Sequence, residues 1–366
     1  MSTSLDETLR TAVRDLASDA APAPDLASRA LGRGRRLRRR RRIGTTVAAL
    51  VAVVAVTLPF VLLRPRPAPP PTTPTTPRLS ATPSPALRAA PGPDWAERPL
   101  VLPGDWVVTR AQTADGSGSG FLLDRGRGRY FATDRYDGIF PAPTGSLVAV
   151  RDDGRPREIG LFDLATGKTR WYEVGRALTA PRWSPDGRRL LFTTRQVDHF
   201  GFVVLDLDGT RKTHPVGELG WPCADRCEFT WTRSGREVAL ALSKQKSEAW
   251  PRDLPKGVQL LSADDGRPTR LIDMPGTPVG PNAWSPDGTL VVVQGQQEPL
   301  LVETTTGRVV NPLPTADVAW VTADRLLYRR PLGARDFVLA DTTGRELVRQ
   351  PLPRQLVSFE LTIVPR

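Results

Sequence analysis

Trp183-Ser184-Pro185-Asp186-Gly187 and Trp284-Ser285-Pro286-Asp287-Gly288 are the same five residues met twice, and they decide the fold. Each reads as an aromatic strand end running into a tight turn. Proline pre-sets the first turn position, aspartate bonds the local backbone, and glycine accepts positive φ. Degraded copies stand at Pro141-Ala142-Pro143-Thr144-Gly145, Trp231-Thr232-Arg233-Ser234-Gly235 and Trp320-Val321-Thr322-Ala323-Asp324. A β-rich run follows every copy, at Leu147–Val150, Leu190–Thr193, Val238–Leu242, Leu290–Val293 and Leu326–Tyr328.

A second anchor trails the first: an apolar strand, an acidic or small residue, then a turn glycine. It occurs as Leu161-Phe162-Asp163 to Gly167, Val204-Leu205-Asp206 to Gly209 and Leu260-Leu261-Ser262 to Gly266, then as Leu301-Val302-Glu303 to Gly307 and Val338-Leu339-Ala340 to Gly344. Two hairpins per unit, with first anchors 36 to 53 residues apart, are the signature of four-stranded propeller blades. Counting gives five full blades and a partial first one, with strands in Trp106–Thr109, Phe121–Leu123 and Tyr130–Ala132. Ser358–Val364 arrives where the next inner strand is due, so it is expected to complete blade 1 and close the ring. The expected fold is therefore all-β: a β-propeller of four-stranded antiparallel sheets over residues 98–366, with six blades. A seventh would require Leu100–Leu102 to begin another.

The turn residues Trp183, Pro185, Asp186, Gly187, Trp231, Gly235, Trp284, Pro286, Asp287, Gly288 and Trp320 are read as blade-packing and turn positions, not as a ligand cage. The repeats resemble the tryptophan–aspartate-like repeats of TolB-type propellers, whose core motif is the same Trp-Ser-Pro-Asp-Gly turn. That resemblance covers residues 98–366 and implies the fold. Function has to come from a site.

Ahead of the repeats the chain changes character. Ile43 to Leu63 is an uncharged apolar run of 21 residues, long enough as a helix to cross the ~30 Å hydrocarbon core. Eight arginines lie between Arg33 and Arg42, against Arg64 and Arg66 just beyond the far end. The positive-inside bias then places residues 1–42 in the cytoplasm and the propeller outside, in a single-pass cell-membrane protein. A cleaved signal peptide fits less well, since 42 residues precede the run and no Ala-x-Ala site follows it. Residues 64–97 form the linker. Positions 64–94 hold 11 prolines, which favours an extended polyproline stalk reaching up to ~95 Å.

In the cytoplasmic segment, Ser4-Leu5-Asp6-Glu7 reads as a capping box opening an amphipathic helix with Leu5, Leu9, Val13 and Leu16 on one face. Asp25 caps a second helix carrying Leu26, Ala30 and Leu31. The layout resembles the membrane-bound anti-sigma regulators of actinobacteria, though it lacks the His and paired Cys of their zinc-binding class. That resemblance implies a cytoplasmic protein partner, a sigma factor, for residues 1–31.

Charge excludes another class. The 366-residue chain carries a formal +12, but residues 1–66 hold 13 arginines and 5 acidic groups. The remaining 300 residues hold 38 basic and 34 acidic groups, which is no nucleic-acid footprint. Two cysteines, Cys223 and Cys227, stand four apart, and zinc would need His199 and His214 as well. Outside the cytoplasm a local disulfide is the expectation.

No nucleophile–base, metal-ligand or phosphate-loop spacing occurs, so no catalytic, cofactor or metal residue is assigned. Asp206-Leu207-Asp208-Gly209 is read as a repeat turn, not a calcium loop. The candidate binding loop is where the repeat is violated. Blade 4 carries about ten extra residues, Lys244 to Lys256, with Trp250 and Arg252, and opens with Trp221 beside the cysteines. A disulfide-fixed loop with exposed aromatics suits an extracytoplasmic protein or glycan. The expectation is a non-enzymatic binding or sensing module without cofactor. Its alternatives are an anti-sigma-like transmembrane regulator and a cell-envelope hydrolase or lyase using acidic and His residues at the propeller mouth.

Overall fold

Runs of consecutive apolar residues, not alternating ones, mark the middle strands of the repeats. Val291, Val292 and Val293 are all fully buried, which a sheet achieves only when both of its faces are covered. The computed structural model shows how. It describes residues 84–366 apart from 90, 93, 114–119, 176–178, 196–199, 218, 220–221, 225–226, 246–253 and 331–335. The apolar run at 43–63, the arginine run and the cytoplasmic helices lie outside the described residues. Among the described residues no helix is long and apolar enough to cross a membrane.

Five antiparallel sheets follow one another with strands in chain order. Blade 2 comprises 138–141, 147–151, 158–163 and 168–173, and blade 3 comprises 182–183, 189–195, 200–206 and 211–215. Blade 4 comprises 229–231, 237–245, 254–262 and 268–272, and blade 5 comprises 277–278, 290–294, 299–303 and 309–312. Blade 6 comprises 318–322, 325–329, 336–341 and 346–351, with Ala86–Leu87 added in parallel on its outer edge.

Blade 1 is assembled from both ends of the propeller. Its strands 106–113, 120–124 and 129–133 are joined by Phe359–Pro365, which pairs antiparallel with Trp106–Thr113 from Phe359↔Thr113 to Pro365↔Trp106. The last strand thus closes the ring and leaves no open inner edge. The fold is a six-bladed β-propeller. Val101–Leu102 pairs onto the start of strand 106–113 in the same sheet, so it begins no seventh blade.

The core is divided among the gaps between blades. In blade 4, Val238, Leu240 and Leu242 pack with Leu191, Phe202 and Val204 of blade 3. Their neighbour Ala239 points the other way, into the cluster of Trp284, Val292 and Leu301 from blade 5. Each such buried Val or Leu contributes about 1.5–3 kcal/mol. The 84–97 segment joins this core through Trp95, which is buried with its ring against Phe121 and Tyr130 at 5.2 and 5.1 Å.

The two perfect turns are built alike. Ser184 Oγ donates to Asp186 Oδ1 at 2.5 Å and accepts from Arg189 N–H at 2.9 Å, with Gly187 at φ 69°. Ser285, Asp287 and Leu290 repeat those bonds at 2.5 and 2.9 Å, with Gly288 at φ 71°. The tryptophans tie neighbouring blades together. The indole N–H of Trp183 donates to Phe140 O at 2.7 Å, that of Trp231 to Arg182 O at 2.9 Å, and that of Trp320 to Ala283 O at 2.9 Å. Each acceptor is the residue just before the turn anchor of the preceding blade. The Asp206–Gly209 stretch is a turn, with Gly209 N–H donating to Asp206 O at 3.0 Å and Thr210 N–H to Asp208 Oδ1 at 2.7 Å.

Candidate axial binding site

One tryptophan breaks this ladder. By the pattern Trp284 should reach the backbone of Thr230, yet its indole N–H has no partner, and neither has the Thr230 hydroxyl. The cause lies in the inner strand of blade 5. After Thr277–Pro278 the strand leaves its ladder at Val279-Gly280 and turns through a 3-10 segment, Pro281–Ala283, before Trp284 returns to pair with Val291. Proline at 281 cannot donate to a ladder, so regular pairing stops there.

This break opens a cavity of about 540 Å³ on the propeller axis. Its wall takes Arg182 from blade 3, Val279–Ala283 from blade 5, Asp317, Val318 and Arg329 from blade 6, and Phe359, Glu360 and Leu361 from the closing strand. The cavity sits where blade 6's second strand ends and its third begins.

Charge in the wall is mixed, and its arginines are committed. Arg182 Nη2 donates to Glu228 Oε2 at 2.8 Å and Nη1 to Val279 O at 3.0 Å. Arg329 donates to Phe359 O at 2.7 Å and to Val357 O, tying the closing strand to blade 6. Desolvation by burial lowers the Arg329 pKa, with Asp317 opposing it. Asp317 is exposed and opens onto the cavity. Desolvation raises its carboxyl above the ordinary range; Arg329 opposes that shift and Glu360 adds to it.

The cysteines belong to the same construction. Cys223 and Cys227 form a disulfide with Cα atoms 5.1 Å apart. Cys223 bridges to Leu242, Ala224 N–H donates to Ala241 O at 2.8 Å, and Phe229 pairs with Leu240. The ladder partners Ala241 and Leu240 are consecutive, so the chain between Ala224 and Phe229 is a bulge, and Cys227 adopts φ 54° within it. The disulfide staples that bulge, and Glu228 leaves it to hold Arg182 in the cavity wall.

Blade 4's extra residues prolong its hairpin, whose central strands run nine residues each, 237–245 and 254–262. Trp221, Trp250 and Arg252 lie outside the described residues, as does His199. His214 is remote from the cavity. It is buried on the outer strand of blade 3 against Phe202, ring centroids 4.8 Å apart, and desolvation lowers its pKa. Among the described residues no group of His, Cys, Asp or Glu side chains is placed to hold a metal ion. Arg182, Asp317, Arg329 and Glu360 were not singled out from sequence. The signal available was Pro278-Val279-Gly280-Pro281, a strand-breaking run where an inner strand is due.

No family model and no curated protein matches the sequence. Solved structures similar to the chain include TolB from Acinetobacter baumannii, at 17% identity and a TM-score of 0.46 over 67% of this chain and 62% of that one. Hydrazine synthase from Kuenenia stuttgartiensis follows at 14% identity and 0.43, over 67% of this chain and 83% of that one. Dihydro-heme d1 dehydrogenase NirN in complex with DHE gives 18% and 0.40, over 69% and 55%. The chain is similar to TolB-type propellers. It spans less than two thirds of the TolB chain's length, and the repeat turns and ring closure carry the fold assignment.

Proposed function

We propose that this chain is a membrane-anchored, extracytoplasmic propeller that binds a ligand at its axial cavity and performs no chemistry on it. The observation that carries the binding site is the break at Gly280–Ala283, which leaves open a space of about 540 Å³ with polar groups in its wall. A rigid ring supporting a concave, mixed apolar and polar site is the usual arrangement for ligand capture. Among the described residues the cavity wall contains no Ser, Thr, Cys, His or Lys, so these side chains supply no nucleophile–base pair of the usual kind. The anchor rests on the apolar run 43–63 with eight arginines on its N-terminal side. The same placement would give residues 1–31 a cytoplasmic protein partner, for which a sigma factor is the proposal.

Asp317 and Glu360 in one cavity give the envelope hydrolase or lyase reading its one supporting observation. Full-length protein in mild detergent, screened against cell-envelope peptides and glycans, separates the two. Saturable binding without turnover is expected. Turnover abolished by Asp317→Asn or His199→Ala would replace binding with catalysis. Protease added outside intact cells should remove the propeller and spare residues 1–42; protection of both termini together would sink the topology. Co-purification of residues 1–42 with a sigma factor is the expected result for the cytoplasmic side, and a clean failure counts against it.

A further inference from the structure

The chemistry of the cavity points to a ligand class, on top of the binding reading above and resting on it. The positive groups in the wall are already used: Arg182 by Glu228 and Val279 O, Arg329 by the carbonyls of Val357 and Phe359. An anion would have to pull one of them away. Asp317 is in the opposite situation. Its carboxylate opens onto the cavity, and none of the described residues donates a hydrogen bond to it or pairs with it within 4.0 Å. Glu360 lines the same space, with Arg110 in its field. Tyr328, Phe337 and Phe359 stand in that wall, and aromatic faces attract cations.

A second polar group lies behind the cavity wall, next to Gly280. Thr230 is only 4% exposed and its hydroxyl has no partner. That oxygen lies 4.0 Å from where a Cβ on Gly280 would stand, with Arg182 Nη1 at 3.9 Å and nothing nearer. The missing side chain of Gly280 therefore leaves a gap between the cavity and a buried hydroxyl able to accept a hydrogen bond.

We infer that the axial cavity takes a cationic group, an ammonium or a guanidinium, held by Asp317 with Glu360 beside it and the aromatic rings around it. No described residue donates to the Asp317 carboxylate, and an N–H-bearing cation in the cavity supplies that donor together with an opposite charge. Burial favours protonated Asp317, so cation uptake strengthens as pH rises through that raised pKa. Arg329 weakens the field at Asp317, and Glu360 strengthens it.

Calorimetric titration of the full-length chain in mild detergent tests this with four probes: agmatine, N-acetylated and C-amidated Gly-Arg-Gly, its neutral isostere with citrulline in the same capped peptide, and succinate. At least one guanidinium probe should bind, with the citrulline peptide and succinate at least tenfold weaker. A preference for agmatine or for the tripeptide tells a free amine from a peptide side chain. Asp317→Asn should weaken the guanidinium probe at least tenfold, and Glu360→Gln by a smaller factor. Gly280→Val has extended backbone at φ 179° and only ordinary contacts at its Cβ, the nearest at 3.9 Å, so it should fold and also weaken binding. Failure of both guanidinium probes overturns the inference. So does binding of the citrulline peptide as tight as that of Gly-Arg-Gly, or unchanged binding in both carboxylate variants. If succinate or the citrulline peptide binds instead and Gly280→Val stops it, the binding reading stands and the cation falls; if the envelope screen also finds no ligand, both fall.

Discussion

Replacing Trp320 and Trp284 by phenylalanine, one at a time, measures what a single rung of the indole ladder contributes. The two side chains are equivalent in the repeat and nearly equally buried, at 1% and 3% exposure. Trp320 Nε1 donates to Ala283 O at 2.9 Å, whereas Trp284 Nε1 has no partner. Either change shrinks the side chain by roughly 40 Å³, and at ~24 cal/mol per Å³ of residual cavity that costs about 1 kcal/mol. Only Trp320→Phe also strips a buried carbonyl of its donor, at about 1–3 kcal/mol. The expected losses are therefore about 2–4 kcal/mol for Trp320→Phe and about 1 kcal/mol for Trp284→Phe. Urea denaturation followed by both fluorescence and far-ultraviolet circular dichroism gives the difference between variants without an absolute scale. Equal losses would refute the ladder, because the hydrogen bond is the main difference between the two sites.

Three further outcomes follow from particular residues. Burial lowers the His214 pKa below its ordinary 6.5, so the unfolded chain binds the proton more readily. Stability is then full above pH 6.5 and falls as pH drops toward the folded value; His214→Leu should flatten urea midpoints across that window. Gly307 and Gly288 share φ 71°, but a Cβ on Gly307 would stand 1.8 Å from Asp273 O, whereas one on Gly288 meets nothing within 4 Å. Gly288→Ala should cost about 1–2 kcal/mol of left-handed strain, and Gly307→Ala clearly more, read as a larger drop in melting temperature. The Cys223→Ser, Cys227→Ser pair should cost no more than about 2 kcal/mol, since the disulfide closes a short loop. Because that bulge carries Glu228, the same pair should change ligand affinity at the cavity more than it changes the urea midpoint.

Much of the ring was legible because blade chemistry is local. Ser184, Asp186 and Gly187 make their turn with bonds spanning five residues or fewer, and Ser285, Asp287 and Gly288 do the same. The closing strand could be placed because a run at 358–364 had no partner in its own blade. Its observed bounds, Phe359–Pro365, differ by one residue at each end. The disulfide followed from spacing and compartment. The bulge it staples did not, since that is visible only when Ala224 and Phe229 are found against consecutive partners.

By itself, the sequence determined what nearest neighbours along the chain decide: turn type, the β-rich runs that follow each turn, blade count and the pairing of Cys223 with Cys227. Only the tertiary structure decided the cavity. Arg182, Gly280, Asp317, Arg329 and Glu360 come from four different blades, counting the closing strand in blade 1. No local pattern links residues nearly 180 positions apart. They meet because closing six sheets around one axis brings their inner strands together, and because Pro281 keeps one of those strands from filling the space.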